Sequence, residues 1–168
     1  GVTPEAATLD AATHGQVPGR TVALTAEMLR GSLARLSTAG QGGRVDAVAV
    51  GSPHFSIGEF EHLVRLVSGR RLAVPFYACT ARGTLLALEE QGDAEVLREA
   101  GVEIIVDTCV VVTPILPASG GVLMTNSGKF AHYGPSNTGY EVLYGSLEDC
   151  VDSAVAGRAL SSPEVWAW

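Results

Sequence analysis

Short, almost wholly apolar runs alternate along this chain with stretches whose apolar residues recur every three or four positions. Val45–Val50 is one such run, broken only by Asp46. Leu72–Cys79, Glu103–Asp107, Val122–Met124 and Val142–Tyr144 are the others. A strand that is apolar on successive residues, rather than on alternate ones, is buried on both faces, as strands of parallel sheets are. The stretches between carry helix signatures. Thr25 stands as a cap before Met28, Leu29, Leu33 and Leu36. Ser56, with Glu59 three positions on, forms a capping box ahead of Phe60, Leu63, Val64 and Val67. Thr80 is expected to cap a helix through Leu85, Leu86 and Leu88, a second piece runs from Ala94 to Ala100, and Ser146 caps one through Leu147, Val151, Ala154 and Val155. Glycines stop these helices at 40–43, 69, 101 and 157. Thr21–Thr25 reads as a further short strand, and a short helix is expected near Leu9. The alternation predicts an α/β fold of three layers, α/β/α, around a mostly parallel sheet, with residues 1–168 as a single domain.

Composition narrows the function. The chain has 168 residues, 46% of them hydrophobic and 17% charged, which is the profile of a folded domain rather than a disordered one. A net charge of −7 with only 11 Lys and Arg argues against nucleic acid, whose binding rests on clustered cations. No apolar run approaches a bilayer span, no basic amphipathic helix marks a membrane surface, and no signal peptide is visible. Three cysteines do not make a secreted disulfide framework, so a cytoplasmic protein with functional or buried thiols is expected. The opening Gly1-Val2-Thr3-Pro4-Glu5-Ala6 has no initiator Met, and the chain is expected to be a segment of a longer protein or half of a split one.

The residues able to do chemistry fall after the expected strands, where ligands bind in open parallel sheets. Ser52-Pro53-His54 follows one strand, Cys79-Thr80-Ala81-Arg82 a second, Asp107-Thr108-Cys109 a third and Thr125-Asn126-Ser127-Gly128-Lys129 a fourth. The last of these joins hydroxyls, an amide and an ammonium around a glycine, a set suited to a carboxylate or phosphate by charge-assisted hydrogen bonds; it reads equally as a polar surface turn. Its glycine spacing is not that of a Walker loop. His54 beside Ser52 and Ser56 offers an imidazole for proton transfer, as His132 and Tyr133 do further on, and Arg82 offers a second cation. His14 and His62 read as structural. Cys109 and Cys150 each stand near a carboxylate, as soft sulfur ligands suited to an iron–sulfur site. Buried cysteines that behave as small hydrophobes are the alternative, and that alternative is preferred for Cys79.

Taken in order, Gly1–Ala6, Gly51-Ser52-Pro53-His54-Phe55-Ser56, Asp107-Thr108-Cys109, Thr125–Lys129 and Gly145-Ser146-Leu147-Glu148-Asp149-Cys150 resemble the large catalytic subunit of the aconitase X family, over its C-terminal part. The resemblance implies an aconitase-like fold and a hydro-lyase that uses an iron–sulfur cluster (2Fe–2S or 4Fe–4S) as a Lewis acid on a small hydroxy acid. It implies dehydration of cis-3-hydroxy-L-proline or of phosphomevalonate; the first is the expected substrate and the second the alternative, because Lys129 and Arg82 are the only cations in these loops, too few for a phosphate plus a carboxylate. Cys109 and Cys150 match the family's cluster cysteines, with a third ligand expected outside this chain. Lys129, Ser127 and His54 are the expected catalytic groups. Ser52, His54, Arg82, Thr125, Asn126, Ser127 and Lys129 are the expected substrate contacts. The partners implied are the remaining N-terminal catalytic segment and a small swivelling subunit, in a hetero-oligomer. Two other functions compete with this one. The first is a non-catalytic assembly module docking through Trp166 and Trp168, and the second is a cofactor-free small-molecule-binding domain whose cysteines are simply buried.

Overall fold

A computed structural model of the chain describes residues 6–118 and 120–162. Trp166 and Trp168, and most of the opening Gly1–Ala6, therefore lie outside the described residues. The chain divides into two compact units at Arg30/Gly31. In the first, α1 (Leu9–Thr13) is capped by the Thr8 hydroxyl, which accepts from Ala11 N at 3.1 Å. Residues 21–25 are irregular, not a strand: Val22 and Leu24 are exposed, and among the described residues no strand pairs with the run. Thr25 caps α2 (Ala26–Leu36) as its position implies, its hydroxyl accepting from Met28 N at 3.2 Å.

From Gly31 onward the chain is a doubly wound α/β unit. Its strands are β1 (Ala47–Phe55), β2 (Phe76–Thr80), β3 (Val102–Val106), β4 (Val122–Thr125) and β5 (Glu141–Tyr144). They form one sheet in the order β3-β2-β1-β4-β5, parallel throughout. The helices are α3 (Ile57–Val67), α4 (Arg82–Gln91), α5 (Asp93–Ala100), α6 (Gly128–Thr138) and α7 (Leu147–Ala156). Alternate residues of each strand feed two cores. Val48, Val50, Met124 and Leu143 pack with Phe60, Leu63, Leu97, Cys150 and Val151 from α3, α5 and α7. Ala47, Ala49, Leu123 and Val142 face the other way, onto Phe130 and Ala131 of α6 and the 109–116 segment. Right-handed crossovers that leave a central strand in opposite directions must put their helices on opposite faces, so the layering follows from the winding.

Local differences from the sequence pattern have identifiable causes. β2 starts at Phe76 rather than Leu72, because Leu72 N and Ala73 N bond to Ala100 O and Ala154 O instead of a strand, with Pro75 following. Thr80 does not cap α4. It is fully buried and its hydroxyl donates to Phe55 O at 2.8 Å, while Ala81 takes the cap position without a side-chain bond. Helix α6 has no sequence announcement, since Gly134, Pro135, Ser136 and Asn137 all disfavour a helix interior. At the β5 edge, Val142 N and Tyr144 N donate to the Thr38 and Ser37 hydroxyls at 2.8 and 3.0 Å, which closes an otherwise open strand edge. Among the described residues no helix is long and apolar enough to cross a membrane.

Candidate active site

The sheet reverses its winding between β1 and β4, and the crevice beyond the ends of those strands is where open α/β sheets bind ligands. β1 is distorted there. Val50 pairs with Ala78 and Phe55 with Thr80, so five steps along β1 oppose two along β2 and the intervening residues bulge from the sheet. Gly51 begins the bulge with a φ of +82°, and a Cβ there would lie 2.2 Å from Cys79 O. Only glycine brings the backbone that close. Ser52 follows, buried, joined to Pro53 by a cis peptide, and His54 projects into solvent. His54 Nε2 lies 3.1 Å from Thr108 O. A carbonyl only accepts, so Nε2 carries a proton.

The β4 side supplies the other wall. Thr125 is fully buried, and its hydroxyl accepts from Ser127 N at 3.1 Å. Ser127 caps α6 by accepting from Phe130 N at 3.0 Å and donates to Ser52 O. The Ser127 hydroxyl is thus committed in both directions, as a strut between the two loops, and Thr125 sets the strut rather than meeting a ligand. Asn126 is half-buried, and Lys129, in the first turn of α6, is exposed. Together Gly51, Ser52, Pro53, Phe55, Glu59, Asn126, Ser127, Gly128 and Lys129 line a cleft of about 240 Å³. The N-terminal end of α6 and the Lys129 ammonium make this wall favourable for an anion. The sequence pattern marks Glu59 only as a helix-capping residue, so its place in the cleft is a product of the tertiary structure.

The expected site residues after β2 and β3 lie apart from this cleft. Asp107, with a φ of +60°, accepts from Arg82 N at 2.9 Å and binds the Arg82 guanidinium through Nε at 3.1 Å and Nη2 at 2.9 Å. Arg82 is therefore paired and does not line the cleft. Asp107 also fixes the turn that presents Thr108 O to His54. Cys109 is half-buried and packs with Cys79, on the α6 face of the sheet. Burial pushes the Cys79 thiol up to about 11; the Val110 N–H opposes this and Cys109 adds to it. Cys150 lies in the core on the other face, fully buried. Its thiol is pushed well above its ordinary value by burial, then by the neighbouring Asp149 and Glu148 carboxylates. Among the described residues no three His, Cys, Asp or Glu side chains converge as a metal site.

The third domain of aconitase X matches residues 45–156, the stretch that builds the whole sheet. The chain belongs to the aconitase X family. Among aconitase X relatives, a cis-3-hydroxy-L-proline dehydratase of Pseudomonas aeruginosa is 38% identical over 99% of this chain and 29% of its own length. The phosphomevalonate dehydratase large subunit of Methanocaldococcus jannaschii is 27% identical over 76% of this chain and 31% of its own. The crystal structure of Thermococcus kodakaraensis aconitase X in its holo-form superposes with a TM-score of 0.59 at 28% identity, covering 66% of this chain and 29% of that one. The chain thus spans under a third of the length of these aconitase X proteins.

Proposed function

We propose that this chain is the cleft-bearing domain of an aconitase X hydro-lyase that removes water from cis-3-hydroxy-L-proline. The observation that carries the reading is the cleft at the β1/β4 switch point, assembled from two loops that the Ser127 hydroxyl ties together. Its anion-favouring wall suits a substrate carboxylate. The volume, about 240 Å³, lies below the roughly 300–1,000 Å³ of pockets for drug-sized ligands and suits a small metabolite. Phosphomevalonate, with a phosphate and a carboxylate, fits less well. Lys129 is the one cation lining the cleft among the described residues, since Arg82 is held by Asp107.

Dehydration removes the proton next to the carboxylate and the hydroxyl from the adjacent carbon. Lys129 and Asn126 hold the carboxylate and stabilise the negative charge that builds on it as the proton leaves. His54 stands on the same β1 segment as the cleft residues Pro53 and Phe55 but does not itself line the cleft; it is the proton acceptor in this proposal, its ring oriented by the Nε2 contact to Thr108 O. Ser127 and Ser52 position the wall and stay intact through the reaction.

An iron–sulfur cluster fits this chain in part. Cys109, half-buried beside the His54–Thr108 contact, is suited to ligate through a rim thiolate. Cys150, in its present packing, is a neutral thiol enclosed by hydrocarbon and does not fit the ligand set. The remaining ligands would come from outside the described residues, and with them the cluster would supply Lewis-acid assistance to the departing hydroxyl. The reading therefore rests on the family and the cleft, not on a pair of thiols. The rest of the catalytic subunit and a small swivelling subunit complete the site in this proposal.

The test is anaerobic purification of the intact enzyme, with iron content, visible absorption and turnover of cis-3-hydroxy-L-proline measured together. Cys109→Ser should lose iron and activity. Cys150→Ser should keep its iron, and Lys129→Met should lower kcat/KM by on the order of 10²-fold. An enzyme that turns over phosphomevalonate but not cis-3-hydroxy-L-proline would overturn the substrate assignment.

A further inference from the structure

Glu59 is the third residue of α3, and its Oε2 alone serves the helix cap, accepting from Ser56 N at 2.8 Å and Ser56 Oγ at 2.7 Å. The second oxygen, Oε1, has no hydrogen bond or ion pair among the described residues. The Lys129 ammonium likewise has no partner among the described residues. Both side chains line the same 240 Å³ cleft, one from the α3 side and one from the α6 side, and they are not paired with each other. A small cleft with one open negative group and one open positive group, fixed on separate elements, complements a ligand that itself carries both charges. Glu59 is also held in place before any ligand arrives, because its capping bonds fix the carboxylate, so little ordering is needed on binding.

We propose that Glu59 is the ammonium-binding residue of this cleft, and that with Lys129 it selects a zwitterionic amino acid over a substrate carrying only negative charge. Lys129 and the α6 N-terminal end take the carboxylate, and Glu59 Oε1 accepts from the ring ammonium of a proline-type ligand. A phosphorylated hydroxy acid brings no cation for Glu59 and places its second anion against a carboxylate. The inference rests on the cleft being the substrate site, and it accounts for the preference for hydroxyproline by a specific residue.

The test is calorimetric titration of the intact enzyme with two probes of nearly equal shape, L-proline and (S)-tetrahydrofuran-2-carboxylate, in which the ring ammonium is replaced by oxygen. Glu59→Gln keeps a side-chain oxygen for Ser56 and so preserves the cap. It should weaken L-proline about tenfold or more while moving the oxygen analogue less than twofold. Lys129→Met should weaken both probes alike, because both carry the carboxylate. Equal effects of Glu59→Gln on the two probes, or no effect on either, would overturn the proposal, as would failure of the unsubstituted enzyme to bind L-proline. Turnover of cis-3-hydroxy-L-proline, measured in parallel, separates the two readings. Normal turnover with an indifferent Glu59→Gln sinks the role of Glu59 alone. Glu59-dependent proline binding without turnover keeps the zwitterion site and sinks the dehydratase.

Discussion

At the scale of single residues, Gly51 decides whether the cleft exists. Its backbone lies against that of Cys79, and a methyl group there would sit 2.2 Å from the Cys79 carbonyl oxygen and 2.9 Å from its nitrogen, at a φ of +82°. Two strand backbones cannot yield as a flexible side chain can. Gly51→Ala is therefore expected to destabilise by about 3 kcal/mol or more, read as a shift in urea midpoint. Gly58→Ala, in the first turn of α3 with open space around its Cβ, should be neutral or slightly stabilising in the same assay. Ser127 shows the other side of residue-scale reading. A serine beside a lysine looks like a chemical group, yet its proton and its lone pair are both used in holding two loops together.

At the scale of elements, β2 carries a thiol whose ionisation is linked to folding. Cys79, near the end of the strand, keeps its proton up to about 11 because burial disfavours the thiolate, whereas the unfolded thiol ionises near its ordinary value of 9.0. Below pH 9 both states bind the proton and the stabilisation is complete. Between about pH 9 and 11 the unfolded state loses its proton first, so stability falls as pH rises and the loss is complete above about 11. Cys150 on α7 is shifted in the same direction and adds to the decline. Denaturant midpoints measured across this range should fall, and Cys79→Ala should flatten part of the slope.

At the scale of the whole unit from Gly31 onward, Asp149 ties the 159–162 segment to the body of the unit. Its carboxylate is 1% exposed, and accepts from Ser146 N at 3.1 Å and from Ser162 N at 2.8 Å. The segment before Ser162 is tied down in turn: Leu160 N donates to Ser153 Oγ at 2.9 Å, and Ala159 N to Gly43 O at 2.8 Å, beside the start of β1. Removing the carboxylate takes the acceptor from two part-buried N–H groups, those of Ser146 and Ser162. Asp149→Ala is expected to cost about 1–3 kcal/mol, and to speed hydrogen exchange at Leu160 and Ser162 together.

The sequence alone carried the architecture. Runs such as Val45–Val50 and Val142–Tyr144 are buried on both faces, and Ser56 with Glu59, and Ser146, mark helix starts, because burial pattern and capping are local properties of the chain. That strands alternating with helices make a parallel sheet with helices on both faces was legible for the same reason. The order β3-β2-β1-β4-β5 was not, and it is what brings the loops after β1 and β4 together while leaving Arg82 to Asp107. Nor did local pattern reveal that Cys109 and Cys150 face different cores, that Thr125 is sealed, or that Glu59 has one oxygen to spare. Each of these depends on which strands are neighbours and which face a helix covers. Those are contacts between distant parts of the chain, and only the folded sheet decides them.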